Sequence, residues 1–501
     1  AEAEHVLVLR LGTPAQLARP GLWRFEARDG GLLPTHTNDG QTPGFQLAEV
    51  LGLRVTAAHA PPAADISVEL QLDCGAAELQ ALRVLLPGTY AAPESCAASP
   101  LADCLAVEAE GRGSLYLTPR GGGAFRGNVT LRVLVTSPWA EAPLRAWLAE
   151  GLHGGEQVAW GEDREAFALT PLPRVSVEYG AVPFATTLLL LGFDAAPRGG
   201  QAPTRLRLLP PAGYELLCGA REPRLLSLPE NRTSCLEEPL QLGLEGGGAF
   251  PEGRHSLLLA VKVPRAAPAP AAGHAAAFKL QLLDASDAVL DANMQLPARP
   301  VASLLLRAEQ PSLAWTQSLA LSKSWVTLRL RLLRALPAGS EPLAAAALLL
   351  EMPEGFKNAI ETPADVRSLN SEFPAPSGQP AAYDSEGSEG RAFGSGGQPD
   401  LRRLRLLRDE ARRVPAGVYR WVFPVRMPRA IPADNVWRLS VCASATCSSA
   451  EDAGATVTFV LPGFRHGEAS SEPGFDPEAS AARRGAGAAL AHVAWLGAAA
   501  A

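Results

Sequence analysis

Lysine is almost missing from this chain. Only Lys262, Lys279, Lys323 and Lys357 occur in 501 residues, and every other basic residue is arginine. The net charge of −7 is spread along the chain with no basic face, which argues against nucleic acid as a partner. Alanine, leucine, glycine and proline are so abundant that the arginine excess reads as coding bias, not as phosphate binding. The most basic stretch, 401–413 (LRRLRLLRDEARR), lacks the interleaved aromatics of a single-strand platform and reads as a solvated strand edge or turn face.

Signatures of catalysis are missing too. No GxxxxGK[ST], HExxH, GxSxG or strand-to-helix GxGxxG occurs. His5, His36, His59, His153, His255, His274, His466 and His492 are singletons and read as exposed loop positions. Carboxylates are plentiful, but none is singled out as a glycosidase-type pair. Asp284-Ala-Ser-Asp287, followed by Asp291 and Asn293, offers clustered oxygen ligands of the kind calcium takes. Its spacing does not match an EF-hand, and it reads as a hairpin turn, as does Thr37-Asn38-Asp39-Gly40. The chain is therefore read as non-enzymatic, with no cofactor.

Cysteine is scarce, and no CxxC spacing marks a zinc site. The seven cysteines are nonetheless placed in local pairs: Cys96 with Cys104, Cys218 with Cys235, and Cys442 with Cys447, leaving Cys74 over. Local disulfides are the preferred reading, against reduced core thiols. Two sequons, at Asn128 and Asn231, point the same way, toward an extracellular or cell-surface location.

What the chain has in quantity is repetition, which decides architecture before any local assignment. An apolar run closing on Pro, a small spacer and an aromatic recurs as LRVLLPGTY ending at Tyr90, LRLLPPAGY at Tyr214 and LLLEMPEGF at Phe356. A glycine run recurs as GGGAF at 121–125 and 246–250 and reads as a turn between strands. A strand ending in Pro, followed by a spacer and a strand-opening aromatic, recurs before Trp147, Phe278 and Trp437. Those aromatics read as core, not as carbohydrate platforms. VLVLRLGTP before Trp23 fits the same template.

Strand patterning supports β structure throughout. Ile66-Ser-Val-Glu-Leu-Gln-Leu and Val326-Thr-Leu-Arg-Leu-Arg-Leu alternate with period two, as half-buried strands do. The apolar run Leu188 to Leu191 fits either a strand buried on both faces or a helical core segment. Proline frequency discourages long helices. The fold class expected is all-β, as tandem antiparallel immunoglobulin-like sandwiches with a short C-terminal apolar segment.

The register predicts the second half of a truncated sandwich at 1–47, so the chain reads as an excerpt. Sandwiches are expected at 48–172, 173–299 and 300–463. An insertion at 371–400 is expected to lack regular structure, and 464–484 to be a flexible linker. The uncharged tail 485–501 is short for a membrane span, which needs about 20 apolar residues. The start of a transmembrane helix, a docked or frayed helix and a lipid-anchor signal all remain open for it.

On the LPxGY/F, GGGAF and P…W signatures, residues 48–463 resemble the tandem immunoglobulin-like sandwiches of very large extracellular proteins of unicellular eukaryotes. The Cys…Trp…Cys spacing of antibody domains is absent, as are the acidic calcium motifs of cadherins. The resemblance implies adhesion, spacing or surface structure, with protein or glycan surface ligands as partners and membrane association through the tail. The alternative is an accessory binding region of a larger secreted enzyme, or a receptor ectodomain.

Overall fold

The computed structural model describes residues 49–92, 101–109, 112–140, 146–218, 224–228, 233–237, 240–266, 276–301, 307–336, 347–360, 365–369, 383–384, 402–407, 413–442 and 456–470, with strand backbone alone at 22–23, 26–28, 34–37 and 42–43. The chain divides into two units, Ala1–Pro171 with Ala288–Met294, and Leu172–Asp287 with Gln295–Ala501. The fold is all-β, and among the described residues its sheets are antiparallel but for one short parallel pairing, of Glu156–Asp163 with Glu49–Val50.

In the first unit, Asn128–Thr136, Asp65–Asp73 and Gly52–Thr56 form a three-stranded sheet. The second sheet runs in the order Glu49–Val50, Glu156–Asp163, Trp147–His153, Ala81–Leu85, Arg112–Pro119, Ala102–Ala109. Val68, Leu70 and Leu131 from the first sheet and Leu82, Val84 and Leu115 from the second share one buried core. Asp65–Asp73 alternates exposed and buried positions along its length, as its period-two sequence requires.

The second unit holds two sandwiches of the same topology. In one, Ser176–Tyr179, Thr186–Ala195, Gly253–Lys262 and Glu215–Leu217 face a sheet that includes, in order, Thr233–Glu237, Leu240–Leu244, Arg205–Leu209 and Ala277–Leu283. In the other, Ser312–Trp315, Lys323–Leu332, Gly417–Arg426 and Lys357–Asn358 face Tyr383–Asp384, Arg403–Leu407, Ala347–Glu351, Val436–Cys442, Val457–Pro462.

The three signatures occupy equivalent places. Each Pro carbonyl accepts a hydrogen bond from the signature aromatic's amide: Tyr90 to Pro87 at 2.8 Å, Tyr214 to Pro211 at 3.1 Å, Phe356 to Pro353 at 3.2 Å. Gly213 and Gly355 take φ of +83° and +85°, the left-handed third position of a turn. A Cβ at Gly355 would meet Pro428 at 2.9 Å. Each signature aromatic then meets the strand-opening aromatic of its own sandwich, with centroids 5.5 Å apart for Tyr90–Trp147, 5.7 Å for Tyr214–Phe278 and 5.4 Å for Phe356–Trp437. Edge-on pairs of this kind add to the area they bury. The chain turns at Pro–Gly because its aromatic must fold back into the core at that point.

Several expectations need correction. Phe464, at the head of the expected linker, is fully buried and stacks with Trp315 at 4.4 Å, so the packed body runs on through 464–470. Within 371–400, Tyr383–Asp384 is an edge strand, because Arg403–Leu407 offers it an open edge. That second strand is itself interior to its sheet, with Leu404 and Leu406 in the core, so the basic stretch is not simply a solvated edge. Before residue 49, Leu22–Trp23 pairs with Thr42–Pro43 and Glu26–Arg28 with Pro34–Thr37; the Trp23 side chain lies outside the described residues.

Candidate functional site

The most elaborated polar and apolar constellation outside the cores is a joint between the two sandwiches of the second unit. It begins with the run Leu188 to Leu191. Leu189 and Leu191 point into their own core, while Leu190, Leu258 and Leu226 pack on Val436 and Val460 of the next sandwich, with Leu188 alongside. A strand apolar on both faces is what this double burial demands.

Polar groups frame that patch. Arg438 donates to Glu178 from Nε at 2.6 Å and from Nη2 at 3.2 Å, a two-pronged pair between the sandwiches. The Glu178 hydrogen bond, the largest influence, pushes the Arg438 pKa up, so the guanidinium stays charged. Gln310 bridges backbone to backbone: its Nε2 donates to Val460 O at 2.7 Å and its Oε1 accepts from Leu188 N at 3.0 Å. Ser256 Oγ donates to Asp434, and Arg465 Nη2 donates to Leu226 O at 3.3 Å. The hairpin 180–185 completes the joint, since Val182 is 1% exposed within the core of the neighbouring sandwich. A Cβ on Gly180 would meet the Phe459 ring at 2.6 Å, so only glycine allows that approach.

Titratable groups elsewhere are tied down. Tyr179 and Tyr214 hydroxyls bond at 3.2 Å, and Arg299 N donates to Tyr179 at 3.0 Å. Burial pushes both phenol pKa values up. Burial also raises the Cys74 thiol, with Asp73 adding to it, which makes it a poor nucleophile. His255, expected in an exposed loop, is 3% exposed on the strand Gly253–Lys262. Its ring lies tilted 5.5 Å from Phe193, and Nε2 meets Pro251 O at 2.7 Å. A single histidine among apolar neighbours leaves no sequence signal for that burial. Asp284-Ala-Ser-Asp287 is a turn, with Ser286 N donating to Asp284 Oδ1 at 2.8 Å and Asp287 paired with Arg205 at 2.6 Å. Among the described residues, no group of three His, Cys, Asp or Glu side chains is placed to hold a metal.

Cys218 and Cys235 form a disulfide with Cα atoms 6.1 Å apart, joining Glu215–Leu217 and its following residue to the edge strand Thr233–Glu237. Cys104 and Cys442 are disulfide-bonded as well; Cys96 and Cys447 lie outside the described residues. Asn128 is exposed at the head of Asn128–Thr136, and Asn231 lies outside the described residues. Sequence reasoning missed Glu178, Arg438 and Gln310. The one signal was the unbroken leucine run, whose outward half needed a partner.

No protein-family model and no curated protein matches the chain. Among solved structures, it aligns with a Corynebacterium diphtheriae protein described as membrane anchored, at 8% identity and TM-score 0.20, over 85% of this chain and 94% of that one. It aligns with the C-terminal domain of the Streptococcus pyogenes antigen I/II-family protein AspA at 9% and 0.21, over 49% and 98%. The collagen adhesin of S. aureus aligns at 7% and 0.14, over 49% and 92%. Likenesses this loose carry no functional argument; the sandwich architecture rests on the chain's own strand pairing.

Proposed function

We propose that this chain is a non-enzymatic extracellular or cell-surface repeat protein, acting in adhesion, spacing or surface structure, with protein or glycan ligands on its loops and sheet edges. The carrying observation is the joint: side chains outside the cores are spent on fastening one sandwich to the next. The Cys218–Cys235 disulfide and the bonded Cys104 and Cys442 fit an oxidising compartment. Exposed Asn128 fits glycan attachment there. The repeat boundaries 48–172, 173–299 and 300–463 are part of the same proposal. The likeness to arrays of unicellular eukaryotes rests on the repeat signatures alone.

Protease shaving of intact source cells tests it. Peptides from this chain should be released before cytosolic markers, with Cys104, Cys218, Cys235 and Cys442 oxidised and Asn128 carrying glycan. A protein retained inside the cell with those four thiols free would overturn the proposal.

A further inference from the structure

The hairpin 180–185 that plugs into the third sandwich has a twin in that sandwich. Ala185 N donates to Val182 O at 3.2 Å, and Ser322 N donates to Leu319 O at the same distance. Two residues before each following strand stands a bulky side chain on left-handed backbone, Phe184 with φ 62° and Leu321 with φ 60°. Ala63, two residues before Asp65–Asp73, takes φ 52° at the same point of the first sandwich. Non-glycine residues rarely adopt that region, so its return in all three sandwiches marks one built turn.

Burial then separates the twins. Pro61 and Val182, two residues upstream of the left-handed position, are buried, Val182 at 1% exposure. Leu319, the third equivalent, is 61% exposed, whereas the left-handed residues Phe184 and Leu321 are alike exposed, at 62% and 63%. This tip therefore exposes Leu319 beside Leu321, where its twin buries Val182 as a plug beside an exposed Phe184.

Residues 467–470 run alongside this tip. Gly467 N donates to Ser318 O at 3.1 Å, Ser318 Oγ to Glu468 O at 2.8 Å, and Trp315 Nε1 to Glu468 O at 2.9 Å. Trp315 N donates to Ser470 Oγ at 3.3 Å. Beyond it come the charged stretch 471–484 and then the uncharged segment 485–501, which carries Leu490, Val493, Trp495 and Leu496. A random coil of those 14 residues spans roughly 20 Å, which keeps a segment near the tip at a millimolar effective concentration. We infer that Gly485–Ala501 docks on the 316–322 hairpin, covering Leu319 and Leu321.

Amide hydrogen exchange at 316–322 tests this, comparing the full chain with a variant ending at Arg484. Exchange in the full chain should be about tenfold slower than in the truncated variant. Leu319→Asp in the full chain should restore the fast rate, while Leu236→Asp, at an exposed leucine elsewhere, should not. Unchanged strand exchange in Gly417–Arg426 serves as the folding control. Equal rates with and without the tail overturn the inference. So does protection that rises with protein concentration, which would make a second copy the occupant. Protection of the tail only upon adding phosphatidylcholine vesicles would also overturn it, in favour of a membrane segment.

Discussion

One cross-strand position is filled in opposite ways in two of the sandwiches. Four residues into Asp65–Asp73, Glu69 stands opposite Arg132; four residues into Thr186–Ala195, Leu190 stands opposite Leu258. Both pairs project from the outer face of the equivalent sheet. Glu69 and Arg132 make a 3.4 Å ion pair in solvent, whereas Leu190 and Leu258 are 5% and 0% exposed within the joint. The strand framework is the same, and only the neighbour differs. Outer-face chemistry in this protein therefore reports what covers a sheet, while inner-face chemistry reports only that it is a sandwich.

Exchanging the pairs is the strongest way to break that comparison. Leu190→Glu with Leu258→Arg grafts the solvated pair into the joint. Each leucine forfeits about 1.5–3 kcal/mol of burial, so the joint should lose about 3–6 kcal/mol, while both cores keep their inward side chains. Urea unfolding of the full protein should then resolve separate transitions for the two sandwiches of the second unit. A single unshifted transition would mean the outer-face leucines hold nothing together.

A smaller effect is expected from the frame. Arg438→Ala leaves Glu178 partly covered and unpaired. Loss of a fully buried pair costs about 3–5 kcal/mol, but these side chains are 34% and 23% exposed, so about 1–2 kcal/mol is expected. The double change Glu178→Leu with Arg438→Met should recover most of that loss, because an apolar pair suits the adjacent leucine patch. Faster exchange of the Leu188 amide, which Gln310 caps, would report joint opening in the single variant. If the single variant exchanges like wild type, the ion pair is a bystander.

The elements that proved legible in the sequence are those whose chemistry is local. A Pro–Gly turn that returns an aromatic to the core must keep its residues together, so Tyr90, Tyr214 and Phe356 stood out. So did the strands with polar outer faces. The glycine signature was legible only twice. Phe125 bonds Leu79 in both directions, and in the third sandwich Val414 does the same with Leu336, but charged residues replace the glycine run before it. The backbone position persists because the ladder needs it, while the turn chemistry does not. The joint was half legible: Leu188 to Leu191 fitted a strand buried on both faces or a helical core segment, and could not name Val436 and Val460, more than 240 residues away. Long-range partners leave no spacing to read.

The smallest expected effect concerns the solvated pair itself. A hydrogen bond from Gln71 holds the Glu69 carboxyl below the ordinary glutamate range, and Arg132 adds to it. A depressed folded pKa contributes stability that is present above the unfolded value and lost as pH falls through the folded one. Because the glutamate faces water, that contribution should be hard to detect in an acid melt. The titration itself should still be visible. In an NMR pH series, Glu69 should titrate below an unfolded-chain glutamate. Arg132→Leu should move it only part of the way back, because the Gln71 bond at 2.9 Å remains, and adding Gln71→Leu should remove the rest of the depression. A full return with Arg132→Leu alone would make charge, not the local hydrogen bond, the dominant influence. That result would also mean the pair is less screened by water than its exposure implies, narrowing the contrast with Leu190 and Leu258.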